Sequence, residues 1–275
     1  VHNRIAGFIL ENGYGYDIVE PSPPEKFVSQ EKGFHWYANY LAGLVENELV
    51  EHVTYPTCDC CGQLLTDEPP TTVPPADEIT IVAHSMGGVA TRLYLKSDDI
   101  GSPAAKRKVT RAITLSSPHH GTAVPIMEIV RTLADVFVFL GSGTVAYSFL
   151  GTTLCYQEAK PGSDLMAEIN ASPECPKNVD FHCLWTTGDR VVAPRHTAVV
   201  SGASNYCIDN KSVRHNGILW SIYATDIVRN ILENKSEPVG LEHYPSTSGC
   251  TALDEHNWMP KAFPEKNYLW ECRNA

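Results

Sequence analysis

Apolar residues recur at helical spacing from about Phe27 to His52, where Phe34, Tyr37, Leu41, Leu44, Val45 and Leu49 share one face. The pattern predicts a long amphipathic helix that packs on a sheet. Ahead of it, Arg4 to Glu11 reads as a short helix ending at Asn12-Gly13, and Tyr16 to Glu20 as a strand stopped by Pro21, Pro23 and Pro24. Residues 53–78 break the period with clustered cysteines and the pairs Pro69-Pro70 and Pro74-Pro75, and read as an irregular insertion. Ile79 to Ala83 is a short β-branched run that feeds a helical stretch from Met86 to Leu95. Ala112 to Leu115 and Phe181 to Thr186 are further strands, Val199 to Cys207 reads as a strand or a loop, and Gly217 to Leu232 as a helix. Alternating strands and helices predict an α/β fold, with a mostly parallel sheet covered by helices on both faces.

Two stretches depart from that alternation. Residues 122–160 carry Ile126, Ile129, Val130, Leu133, Val136, Phe137 and Leu140 before the Gly141-Ser142-Gly143 break, a composition suited to a lid or to a buried helix pair. Residues 234–275, rich in Pro, Ser and aromatics, read as an irregular tail packed on a single domain that spans residues 1–233.

A formal net charge of −11 and a pI near 5.4 exclude the basic footprint that nucleic acid requires, and favour a neutral substrate. The nine cysteines point to an oxidising compartment, hence to a secreted or periplasmic, disulfide-bonded protein. Their odd number, with a start that runs from Val1-His2-Asn3 straight into a helical stretch, leaves open a sheet lacking one or more N-terminal strands. No run reaches the roughly 18 uncharged apolar residues of a spanning helix.

The chemistry concentrates in Ile79-Thr80-Ile81-Val82-Ala83-His84-Ser85-Met86-Gly87-Gly88, which sets a serine between small residues where a strand turns into a helix. Such a turn holds the hydroxyl out from the sheet edge and marks Ser85 as a nucleophile. The following helix start puts the Met86 backbone N–H where it can stabilise a developing oxyanion. Gly188-Asp189 closes the strand at Thr186, where an aspartate taken alone reads as a solvated turn residue, and Arg214-His215-Asn216 precedes the last helix, leaving an acid and a base available to serve the serine. His196 competes with His215 as base, but His215 is favoured because an apolar helix follows it directly. His84 is expected beneath the turn, and His119 and His120 as turn and core residues. Cys58-Asp59-Cys60-Cys61-Gly62 is read as a disulfide site in preference to a zinc knuckle, because no second pair has matching spacing. No metal site is expected, and no organic cofactor, since no Gly-rich phosphate loop follows a strand.

The AHSMGG motif, the Ser-Pro-His-His-Gly-Thr run after Leu115, Trp185-Thr186-Thr187-Gly188-Asp189-Arg190-Val191-Val192 and Arg214-His215-Asn216-Gly217 together resemble the small secreted bacterial lipases of the α/β-hydrolase superfamily, over roughly residues 3–233. The resemblance implies the α/β-hydrolase fold and a lipase or carboxylesterase acting through Ser85, Asp189 and His215. Its substrate would be a small-molecule or lipid ester, with transient contact at a lipid interface; the sequence does not set the oligomeric state. Ala83 stands where that group usually has glycine. The second oxyanion donor of the group follows a His-Gly pair, for which only His2-Asn3 could stand: either Asn3 replaces the glycine or that strand lies outside the chain. The same three residues would also serve a polyester hydrolase, a lipid-anchor or amide hydrolase, or an acyltransferase, and a hydrolase-like binding protein without catalysis is the reading from a different class.

Overall fold

The computed structural model describes residues 28–54, 69–123, 154–234 and 268–273. The predicted helix at 4–11 and strand at 16–20, His2-Asn3, the cysteines at 58–61 and residues 124–153 of the candidate lid lie outside them.

Helix α1 (Val28–Glu48) follows the predicted spacing, with Phe34, Ala38, Ala42 and Val45 buried. Gly33 interrupts it at φ 85°, and beyond the break the Phe34 N–H donates to Glu158 Oε2 over 2.8 Å. A carboxylate distant in sequence thus caps the second part of the helix, where the axial dipole favours negative charge. The helix ends before the predicted His52. His52–Thr54 (β1) instead pairs antiparallel with Thr71–Val73 (β2), which corrects the reading of 53–78 as wholly irregular. The β-branched residues of these triplets suit a ladder, and the proline pairs fall just outside it.

Next come β3 (Ile79–His84), α2 (Met86–Lys96), α3 (Pro103–Lys108) and β4 (Val109–Leu115). They are followed by α4 (Leu154–Glu158), α5 (Asp164–Ile169), β5 (Asp180–Thr186), β6 (Ser204–Asp209), α6 (Ile222–Leu232) and β7 (Tyr268–Arg273). The sheet order is β3-β4-β5-β6-β7; the first four strands are parallel and β7 is antiparallel to β6. A strand therefore lies within the stretch read as an irregular tail. Its lone hexapeptide, Tyr268–Arg273, opens with three consecutive apolar residues beyond a long mostly polar segment and gives little periodic signal on its own. Among the described residues β3 is the outer strand on its side, and Val82 is exposed there. The predicted helix from Gly217 to Leu232 is two elements, a 3₁₀ turn at Asn216–Trp220 and then α6, because Ser221 leaves the helical region and its hydroxyl caps the Ala224 N–H.

Side-chain alternation along the strands assigns the two faces. Ile113, Leu115, Leu184, Tyr206 and Ile208 meet Ile218 and the α6 residues Ile227, Val228 and Ile231, while Ile81 packs with α1 and α2 through Phe34, Val89 and Leu93. Helices thus cover both faces, as the alternating pattern required. At Gly88 the α2 backbone comes close to the sheet: a Cβ there would overlap Ser117 Oγ and lie 3.0 Å from Thr114 Cβ. Both partners belong to β4 or the turn after it, so neither can withdraw without moving the sheet. Gly88→Ala is expected to destabilise the fold by about 2 kcal/mol, read as a lower urea midpoint at unchanged slope.

Candidate active site

Three strands end side by side and continue their ladders for one more residue. The Ser85 N–H donates to Leu115 O (2.9 Å), that of Ser116 to Leu184 O (2.8 Å) and that of Thr187 to Ile208 O (3.0 Å). Ser85 adopts φ 55°, ψ −124°, outside the regions open to ordinary L-residues, and its carbonyl accepts from the Gly88 N–H at 3.1 Å. Holding a non-glycine residue there costs on the order of 1–3 kcal/mol and persists only where the surroundings fix it. A Cβ at Gly87 would meet Tyr37 Oη at 3.3 Å and Ala83 Cβ at 3.6 Å, so space is tighter at Gly88 than at the position two after the serine. Met86 opens α2, so its amide has no acceptor within the helix.

Asp189 and His215 approach Ser85 from two later loops. His215 Nδ1 lies 2.8 Å from Asp189 Oδ2, and His215 Nε2 lies 2.8 Å from Ser85 Oγ. A carboxylate only accepts, so Nδ1 carries the proton, and Ser85 then donates to Nε2. Asp189 Oδ1 is filled by the N–H groups of Val191 (2.8 Å) and Val192 (3.0 Å). Burial pushes this carboxyl up, but the hydrogen bond and charge of His215, with the two amides, outweigh it and hold the group below its ordinary value. His215 is the histidine that bridges acid and serine, whereas His196 sits on a separate 3₁₀ turn, Arg195–Ala198. The arrangement is that of a hydroxyl whose proton an adjacent imidazole can take, with a buried anion to steady the imidazolium.

The contacts that place these residues are not visible in the motifs. A Cβ on Gly188 would overlap Val213 O and come within 2.7 Å of Lys211 O and 2.9 Å of Asn210 O. Thr186 Oγ1 donates toward the same segment, to Val213 O at 2.8 Å and Asn210 O at 3.2 Å. The turn carrying the acid and the loop carrying the base are thereby fastened together. Thr122 Oγ1 donates to Val191 O over 2.6 Å and ties in the turn after β4. Arg92, fully buried on α2, donates to Glu174 O (3.0 Å), His119 O (3.2 Å) and Asn170 Oδ1 (2.7 Å), clamping that turn from below.

His119 is buried against Thr114 Oγ1 at 3.0 Å, and burial, followed by Arg92 and His120, keeps its ring neutral. His120 meets the Glu174 carboxylate at 3.4 Å, so both act as the turn and core residues anticipated. Cys155, Cys175, Cys183 and Cys207 form no disulfide among the described residues, so the expected disulfides are not made by these four. Burial pushes Cys155 and Cys183 up to about 12, which keeps both protonated.

Residues 51–137 match the family profile described as PGAP1-like alpha/beta domain. That stretch includes Ser85 and its turn, but neither Asp189 nor His215. No curated protein sequence matches the chain. Among solved structures the chain is similar to lipase B of Aspergillus fumigatus, at 15% identity and a TM-score of 0.50. The similarity covers 74% of this chain and 43% of that one, so the chain spans less than half the length of that lipase. At this identity the likeness is one of fold: the chain has an α/β-hydrolase-like fold with four parallel strands. The comparisons do not show the bacterial lipase group named from the motifs.

Two outcomes follow from the geometry. Gly188→Ala is expected to push the 210–213 segment outward and misplace His215, cutting turnover about 10²-fold at a smaller cost in thermal stability; steady-state kinetics beside a melt check it. Because the Asp189 carboxyl is held below its unfolded-state value, the pair stabilises the fold in full above about pH 5 and loses that contribution as the pH falls through the depressed value. The gap in unfolding free energy between the protein and Asp189→Asn should therefore shrink on acidification, as urea titrations at several pH values would record.

Proposed function

We propose that the chain is a serine ester hydrolase, a lipase or carboxylesterase that works through an acyl-enzyme on Ser85. The observation that carries this reading is the bond chain Asp189–His215–Ser85, with two contacts of 2.8 Å ending on a serine held in a strained strand-to-helix turn. A serine used only as a helix cap would not need an imidazole on its hydroxyl, nor a buried carboxylate behind that imidazole. The lipase-like fold and the acidic, phosphate-loop-free sequence agree with a neutral ester substrate.

In this reading His215 Nε2 takes the Ser85 proton as Oγ attacks the ester carbonyl, and the bond from carbonyl carbon to alcohol oxygen breaks as His215 returns that proton to the alcohol. Water, deprotonated by the same nitrogen, then releases the acid and restores the serine. Asp189 holds the imidazole in the tautomer that accepts from Ser85 and stabilises its charged form. The Met86 N–H, at the positive end of α2, donates to the oxyanion of both tetrahedral intermediates.

The test is hydrolysis of p-nitrophenyl butyrate and decanoate by the chain and its Ser85→Ala variant. Activity should fall by about 10⁶-fold in the variant, and the butyrate-to-decanoate ratio sorts esterase from lipase. A folded chain that neither cleaves these esters nor takes a fluorophosphonate label on Ser85 would sink the proposal.

A further inference from the structure

We infer that His84 is a positioning residue for the base, fastening the backbone of His215 to the strand that carries Ser85. The inference rests on the hydrolase reading above. His84 is the last residue of β3, next to the nucleophile, and its Nε2 lies 3.1 Å from the backbone carbonyl of His215, 131 residues further along the chain. A carbonyl can only accept, so the proton sits on His84 Nε2. The two rings also touch, with centroids 4.7 Å apart and planes tilted by 47°.

This contact differs from the others that hold the base. Asp189 and Ser85 grip the imidazole nitrogens, yet neither fixes the backbone from which the ring hangs. His215 sits just ahead of the short 3₁₀ turn Asn216–Trp220, outside the sheet, at φ −45°, ψ −58°, where no strand ladder restrains it. Thr186 holds this loop two residues earlier, at Val213 O, whereas the bond from His84 reaches the carbonyl of His215 itself and closes a ring: Ser85, its chain neighbour His84, the His215 carbonyl, the His215 imidazole, and back to Ser85 Oγ. The distance across which the proton moves is then fixed from both the side-chain and the main-chain ends. The charge of His84 fits the same task. Withdrawal from water, then the neighbouring His215, brings its pKa down to about 3, so it donates as a neutral ring and places no second cation beside the imidazolium that forms during the reaction.

Three variants test the inference in the full chain. In His84→Gln the amide nitrogen can stand where Nε2 was; in His84→Asn it falls short; His84→Phe keeps the ring and loses the donor. For p-nitrophenyl butyrate, H84N and H84F should lose about tenfold in kcat with KM within about twofold, and H84Q should stay within about threefold of the unaltered chain. Fluorophosphonate labelling rates should follow the same order, and melting temperatures should not. Equal losses in H84Q and H84N, or a change confined to KM or to melting, would overturn the inference. An active chain with unimpaired H84N and H84F would remove His84 from the machinery and leave the hydrolase standing. An unaltered chain inert to both ester and fluorophosphonate would bring down the hydrolase reading, and this inference with it.

Discussion

A carboxylate with 2% of its residue surface exposed costs several kcal/mol to keep charged unless its lone pairs are filled, and Asp189 is such a group. Four features of the fold meet that demand. The turn after β5 curls so that two amides reach Oδ1, and the base loop delivers Nδ1 to Oδ2. Gly188 lets the 210–213 backbone come close enough for that delivery, and Thr122 holds the far side of the turn. The first two fill the lone pairs directly, and the last two hold the segments that carry those donors. Asp189 is thus both part of the candidate site and the reason the surrounding loops have one arrangement.

Strain at Ser85 is maintained in a similar way from the other direction. Its φ of 55° is held by the ladder bond to Leu115 on one side and by the seating of α2 at Gly88 on the other. Arg92, one helical turn beyond Gly88, ties His119 O of the turn after β4 to Asn170 Oδ1 and Glu174 O of the segment after α5, so the helix that starts at Ser85 also clamps the turn beside it. Local strain is offset by contacts spread over four segments, which is why the serine can be exposed to a substrate while its backbone stays fixed.

The parallel sheet makes this economical. Parallel strands bring their carboxyl ends to one edge, and each loop leaving that edge can contribute one functional group. Ser85, Asp189 and His215 leave from the ends of β3, β5 and β6 in turn, while β4 contributes the supporting turn with His119 and Thr122. The two hydrophobic layers, one under α1 and α2 and the other under α6, keep the edge rigid without entering the site.

The sequence by itself determined the strand-and-helix alternation, the turn at Ser85 and the Gly-Asp turn that closes a strand at Asp189. Each of these has a local signature: a β-branched run such as Ile79 to Val82, a serine among small residues, or a Gly-Asp turn closing a strand. Only the tertiary structure decided that Gly188 and Thr186 fasten the two loops, that Arg92 is buried as a clamp, that Glu158 caps α1, and that β1, β2 and β7 are strands. Those features depend on partners tens of residues away in the chain. No periodicity or neighbour pattern records such a partner, because the energy that selects it arises only when the segments meet.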